Sequence, residues 1–295
     1  MDLFSDPETP YIRNMKKPVI KKFPTELFGH AFCDHSDKAK AALKDQYCPF
    51  LDDECKKPRK SQPEIKVGTC SVGYKGFSNE YLPVIICPHR FNTPFIFKTI
   101  QQKYLSNWEN IEWVTEVSIG VGGSVDWVAI NKDKKTGKIK DFLCVEFQAA
   151  GTTGTPWDAV LEFKKNRKFS SDSYPYGINW ANEFVKTMMQ QVFKKGKIIE
   201  YWKHKIIFVF QDVGMQYIKG ATDASGLRPA NLKDPIHFCT FGLEWKNDRW
   251  DFNFGEQLST NLDGINKILG GALSEEYPSV EKFIENIERK ISSKK

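Results

Sequence analysis

Ser124-Val-Asp-Trp-Val-Ala-Ile130 and Asp141-Phe-Leu-Cys-Val-Glu-Phe-Gln-Ala-Ala150 are the two stretches whose reading decides the fold. Both cluster β-branched and aromatic residues, so both read as strands. The segment between them, Asn131-Lys-Asp-Lys-Lys-Thr-Gly-Lys138, is charged and carries Gly137, as a hairpin connection does. Antiparallel pairing then brings Asp126 near Glu146. The side-chain period of two puts Glu146 and Gln148 on one face. Two carboxylates and an amide on an apolar hairpin are costly to bury unless something charged sits between them, and a divalent cation meets that need. Mg²⁺ suits such a site, because it takes hard oxygen ligands and keeps several waters. The Phe147 carbonyl is a further candidate ligand. Taken alone, the spacing Asp-x₁₉-Glu-x-Gln also fits a surface hairpin with a polar face.

Outward from the hairpin, Gly120-Val-Gly-Gly123 reads as the turn that feeds the Asp126 strand, and Glu116 just before it is a candidate third carboxylate. Glu109 and Glu112 compete for that role, although solvated helix ends account for both. Apolar spacing (Phe97, Ile100, Tyr104, Trp108, Ile111) predicts a helix from Phe95 to about Trp113. Downstream, a turn over 151–157 leads to a helix over 158–168 and another over 179–195. Lys205–Gln211 and His237–Trp245 read as buried strands. Val280, Phe283, Ile284, Ile287 and Ile291 mark a C-terminal amphipathic helix whose default role is packing. The order helix, strand, strand, helix, strand describes an α/β core with a mixed central sheet flanked by helices. We assign it to residues 95–295. Residues 1–94 hold a Pro- and Lys-rich arm over the first 25 positions, a short helix over 36–46 capped by Ser36, and a loop-rich segment from Tyr47 to Pro88 with four cysteines.

A chain of 295 residues can bury a large core, and its 22 Phe and 8 Trp exclude a mainly disordered protein. No apolar run reaches the roughly 20 residues that span a bilayer. The start, Met1-Asp-Leu-Phe-Ser-Asp6, lacks the pattern of a signal peptide, so a cytoplasmic protein with reduced cysteines is expected. The net charge of +6 permits nucleic-acid binding without demonstrating it. Arginine is scarce, which draws attention to each one as a bidentate reader of guanine or phosphate.

Cys48, Cys55, Cys70 and Cys87 lie in turn-rich sequence, and none belongs to a CxxC pair. A loop-rich segment with few apolar residues needs a staple, and four thiolates form a tetrahedral site. Zinc in such a site contributes on the order of 10–16 kcal/mol. Cys33 is the runner-up ligand, and Cys144 and Cys239 read as buried small hydrophobes.

Several segments together resemble the NotI-type restriction endonucleases. They are Cys48-Pro49-Phe50, Gly68-Thr69-Cys70-Ser71-Val72, Ile85-Ile86-Cys87-Pro88-His89-Arg90-Phe91, Thr115-Glu116-Val117, Gly123-Ser124-Val125-Asp126 and Val145-Glu146-Phe147-Gln148-Ala149, followed by Thr152-Thr153-Gly154. The resemblance spans roughly residues 25–215. It implies a PD-(D/E)xK core in which Gln148 stands where the superfamily usually has Lys. It makes Asp126, Glu146 and Gln148 catalytic, with Asp126 and Glu146 on Mg²⁺, matches Glu116 to an acidic position, and makes the four cysteines ligands of structural iron or zinc. The implied activity is type II cleavage of double-stranded DNA at a GC-rich palindrome, leaving 5′-phosphate ends. It also implies a homodimer, a companion DNA methyltransferase and a bacterial cytoplasmic setting. Arg59 and Arg90, beside the cysteine module, are the candidate DNA readers. Two rival readings are a non-enzymatic DNA-binding protein built on the cysteines and a repair nuclease that reads DNA structure.

Overall fold

The computed structural model describes residues 16–59, 61–76, 79–270 and 279–292; residues 1–15 of the expected arm lie outside them. Two sheets carry the fold. The smaller uses β1 (Pro24–Leu27), β2 (His30–Ala31), β3 (Thr69–Lys75) and β4 (Tyr81–Ile85), in the order β2-β1-β3-β4. The larger uses β5 (Ile111–Ser118), β6 (Ser124–Lys132), β7 (Ile139–Gln148), β8 (Lys205–Gln211), β9 (Arg228–Pro229), β10 (Ile236–Lys246) and β11 (Arg249–Thr260). Its order is β9-β11-β10-β8-β7-β6-β5. The β6–β7 pair is the expected antiparallel hairpin, and β7, β8 and β10 run parallel. Parallel neighbours need crossover connections, and helices supply them.

The helices are α1 (Asp37–Asp45), α2 (Pro94–Tyr104), α3 (Trp157–Asn166), α4 (Thr187–Trp202), α5 (Asp212–Ala221), α6 (Leu262–Ile268) and α7 (Val280–Ser292). Ser36 caps α1 as expected, accepting from the Ala39 N–H at 3.2 Å. The large sheet sorts its side chains by parity. Val128, Cys144, Ile206, Phe208 and Phe238 pack in one apolar cluster with Met188, Val192 and Ile199 of α4. Ala129, Leu143, Val145, Ile207 and Val209 pack in another, with Ile96, Phe97 and Ile100 of α2. A one-residue slip would exchange the two faces, so burial on both sides fixes the register. That register sends Asp126 and Glu146 to the α4 face.

The small sheet docks at the end of β7 and β8. The buried Gln211 side chain accepts from the Ile85 N–H at 2.8 Å and donates to the Pro83 carbonyl at 2.7 Å. The Ala150 N–H, two residues beyond Gln148, donates to the Ile85 carbonyl at 3.0 Å. The strand that carries Cys70 and the strand that leads into Cys87 are thereby held beside the carboxylate end of β7.

Several expectations need correction. Tyr47–Pro88 is not irregular throughout, because β3 and β4 lie within it. The α2 helix stops at Tyr104, and Trp113 sits in β5, where pairing with β6 outweighs the helical spacing. The helix expected over 179–195 opens with a π-helical turn, Trp180–Lys186, and α4 continues to Trp202. The strand β11 escaped notice because its polar residues Asp251, Asn253 and Glu256 interrupt the apolar signal. The apolar residues of α7 are exposed, so its expected packing role is not met within the described residues.

Candidate active site

Three carboxylates line up across three adjacent strands. Trp127 pairs with Val145, so one step further along the same register Asp126 faces Glu146. On the other side, Val125 pairs with Val117 and Trp127 with Thr115, which puts Glu116 opposite Asp126. Glu116 has a left-handed backbone (φ 53°), unusual for a non-glycine residue, and interrupts the ladder there. The Asp126 carboxylate reaches across to β7, where its Oδ2 accepts from the Phe147 N–H at 2.8 Å. Glu146 is buried, at 3% exposure. Gln148 is half-buried and turns its amide to the Ala149 carbonyl at 3.1 Å.

Burial pushes the Glu146 carboxyl up to about 7, and the charge of Asp126 pushes the same way. Burial also raises Asp126, with a further push from Glu116, against the Phe147 N–H and the charge of Lys195. His89, from the turn after Cys87, is held down by burial while feeling the charges of both Asp126 and Glu116. Crowded, desolvated carboxylates of this kind are a donor set that a hard divalent cation fits. Among the described residues, however, no three His, Cys, Asp or Glu side chains converge as a ready-made metal group.

The residue nearest Glu146 is one that the sequence reading passed over. Lys195 of α4 donates to Glu146 Oε1 at 2.6 Å and to the Ser124 carbonyl at 2.7 Å, and is only 6% exposed. A signal existed: Met188, Val192, Lys195 and Ile199 share the buried face of α4. A lysine inside an apolar stripe needs a partner.

The four cysteines are free and buried. Burial raises Cys48 to about 11, and the charges of Cys55 and Cys87 add to this. Cys70 is held well above the ordinary thiol range by burial and then by Cys87. The thiols therefore lie within electrostatic reach of one another, matching zinc or iron in kind, without closing into coordinating geometry. The local turns are sterically fixed. A Cβ on Gly68 (φ 69°) would meet the Phe28 ring at 2.2 Å, and one on Gly29 (φ 78°) would meet Pro49 at 2.2 Å. Cys144 and Cys239 are core residues of the large sheet, and Cys33 is partly exposed.

Arg90, a candidate DNA reader, is buried in this fold. It is 4% exposed, paired with Glu26 at 3.0 Å, bonded to the Trp250 carbonyl and placed over the Phe50 and Phe252 rings. Arg59 lies over the Trp157 ring at 4.6 Å and donates to Gln62, yet stays partly exposed. Glu109 and Glu112 pair with Lys134 and Lys132 on the surface, away from the row of carboxylates.

The family model for restriction endonuclease NotI matches residues 35–232, roughly two thirds of the 295-residue chain. The chain belongs to the NotI restriction endonuclease family. No curated protein matches it. Membership places this NotI-family chain among site-specific DNA-cleaving enzymes, and the match takes in the four cysteines, Glu116, Asp126, Glu146, Gln148 and Lys195. No helix among the described residues is long and apolar enough to cross a membrane.

Glu146 allows a stability test of the candidate site in this NotI-family chain. Burial pushes its carboxyl up to about 7 from an ordinary 4.5, so the folded chain keeps a proton that the unfolded chain releases. That contribution favours the folded state at low pH and is lost as pH rises from 4.5 through 7. His237, held down to about 4 by burial, acts with the opposite sign between pH 6.5 and 4. The difference in Tm between wild type and Glu146→Gln cancels the histidine. It is expected to fall steadily from pH 5 to 7.5 in metal-free buffer, and a flat difference would contradict the burial of Glu146.

Proposed function

We propose that this chain is a type II restriction endonuclease that hydrolyses both strands of duplex DNA at a specific palindromic site, leaving 5′-phosphate ends. The observation that carries the reading is the row Glu116, Asp126 and Glu146 across three neighbouring strands, with Glu146 buried. Family membership makes DNA the substrate. Asp126 and Glu146 would hold Mg²⁺, which when bound supplies Lewis acidity at the scissile phosphate. The Phe147 N–H fixes the direction of the Asp126 carboxylate. Gln148 can neither carry charge nor accept a proton readily, so its part is to orient groups by hydrogen bonding. Glu116, at the open edge of the row, faces the same site. The resemblance supports a GC-rich recognition sequence, and a palindrome matches a two-fold homodimer with one site per strand. Arg59 keeps an exposed edge that could meet DNA beside the cysteine module. A cognate methyltransferase would protect the host sequence.

Digestion of a plasmid of known sequence with Mg²⁺, followed by sequencing of the ends, tests activity, site and cut position together. Discrete fragments with 5′-phosphates are expected. No cleavage in Mg²⁺ or Mn²⁺, or a random ladder, would refute the proposal.

We propose further that Cys48, Cys55, Cys70 and Cys87 bind structural iron or zinc and brace the strands beside the nuclease site. Cys70→Ser is expected to lower the metal content found by elemental analysis and to destabilise the fold. Metal content equal to wild type would remove Cys70 from the ligand set.

A further inference from the structure

We propose that Lys195 is a positioning residue of the nuclease site: its ammonium, delivered by α4, ties the two carboxylate strands together and supplies the fixed positive charge that Gln148 lacks. This inference rests on the nuclease reading of the same site. The geometry is specific. Lys195 Nζ is 2.6 Å from Glu146 Oε1 on β7 and 2.7 Å from the carbonyl of Ser124, two residues before Asp126 on β6. One side chain thus sets the spacing between the strands that carry Asp126 and Glu146. Two of its three N–H donors are accounted for in this way.

The helix is brought close by two glycines. A Cβ on Gly196, next to Lys195, would meet the Ile236 side chain at 2.6 Å. A Cβ on Gly122, in the turn before β6, would meet Ile119 at 2.8 Å and Ile198 of α4 at 2.9 Å. The π-helical turn Trp180–Lys186 ahead of α4 shifts the phase of the face that α4 presents, and such turns are frequent at functional sites. Buried ion pairs seldom add net stability over apolar groups of similar volume, so packing alone does not account for the Lys195–Glu146 pair. Gln148 stands on the same strand face as Glu146, two positions on, and its amide is turned toward the Ala149 carbonyl. A cation placed at 148 could therefore reach the same carboxylate from the strand instead of the helix.

The experiment compares wild type, K195M and K195M/Q148K for single-turnover plasmid cleavage in Mg²⁺, DNA affinity in Ca²⁺ and thermal melting. K195M is expected to cleave about 100-fold more slowly, the scale of losing one preorganised electrostatic group, while binding DNA within about threefold of wild type. K195M/Q148K is expected to recover at least about tenfold of the lost rate, because the charge returns to the carboxylates by another route. A structural brace would not be rescued in this way, since the contact between α4 and Ser124 stays absent. Cleavage by K195M within threefold of wild type overturns the inference, as does a folded double variant no faster than K195M. Should K195M fail to melt cooperatively, the double variant alone decides: folded and cleaving supports the role, and folded but inactive, or unfolded, overturns it. Failure of the wild type to cleave in the same assay would refute the nuclease reading itself, and with it the role of Lys195.

Discussion

Asp126→Ala and Glu146→Ala should each lower plasmid cleavage by at least about a thousandfold while leaving specific DNA binding in Ca²⁺ intact. A cation at the scissile phosphate contributes several kcal/mol to the transition state, and each 1.4 kcal/mol is about a factor of ten in rate. On the proposed function Asp126 and Glu146 hold the cation, so losing either removes half of the anionic ligands proposed for it. Binding should survive because phosphate and base contacts come from other parts of a DNA-bound surface. The two variants should differ in stability. Asp126→Ala removes one push on Glu146 and frees the Phe147 N–H. Glu146→Ala leaves Lys195 buried with only the Ser124 carbonyl, so it should melt lower. Cleavage kinetics, a Ca²⁺ binding isotherm and a melting curve on each variant separate these effects. Cleavage within tenfold of wild type in either variant would remove that residue from the catalytic set.

Arg90→Ala should destabilise the fold by about 3–5 kcal/mol, because it strands a buried carboxylate. On a chain of this size that is a Tm loss of roughly 6–20 °C. Glu26 is 2% exposed; it accepts from Arg90 Nε at 3.1 Å and from the Ser71 hydroxyl at 2.7 Å. The same guanidinium reaches the Trp250 carbonyl and lies over Phe50, two residues past Cys48, and Phe252. One side chain thus joins β1, the Cys48 loop, the turn after Cys87 and β11. Replacing both partners, as in E26Q/R90M, should cost less than R90A alone, since no charge is left unpaired. A melting loss below about 1 kcal/mol for R90A would mean that the pair is solvated in solution.

What was legible in the sequence follows from short-range periodicity. The β6–β7 hairpin, the buried strands β8 and β10 and the Ser36 cap each depend on residues within a few positions of one another. The carboxylate face was legible for the same reason, since strand parity alone puts Glu146 and Gln148 together. Trp113 was misread because Trp108 and Ile111 continue a helical spacing past Tyr104, and only the partner strand β6 shows that the chain has become extended. The burial of Arg90 was not legible, because scarcity on the chain says nothing about exposure. Its partner Glu26 lies 64 positions away. The exposed apolar stripe of α7 shows the same limit: amphipathic spacing defines a face without defining what covers it.

The sequence by itself determined the strand pair, the face that bears Asp126 and Glu146, and the resemblance to the NotI family that the family match bears out. Only the tertiary structure decided that Lys195 meets Glu146, that Glu116 stands opposite Asp126 on a left-handed backbone, and that Arg90 is locked away from solvent. The physical reason is range. Backbone periodicity is set by sterics and hydrogen bonds between near neighbours, whereas the partner of a buried charge is chosen by how helix and sheet pack across long sequence separations. Lys195 and Glu146 are 49 positions apart, and nothing local to either residue says that they touch.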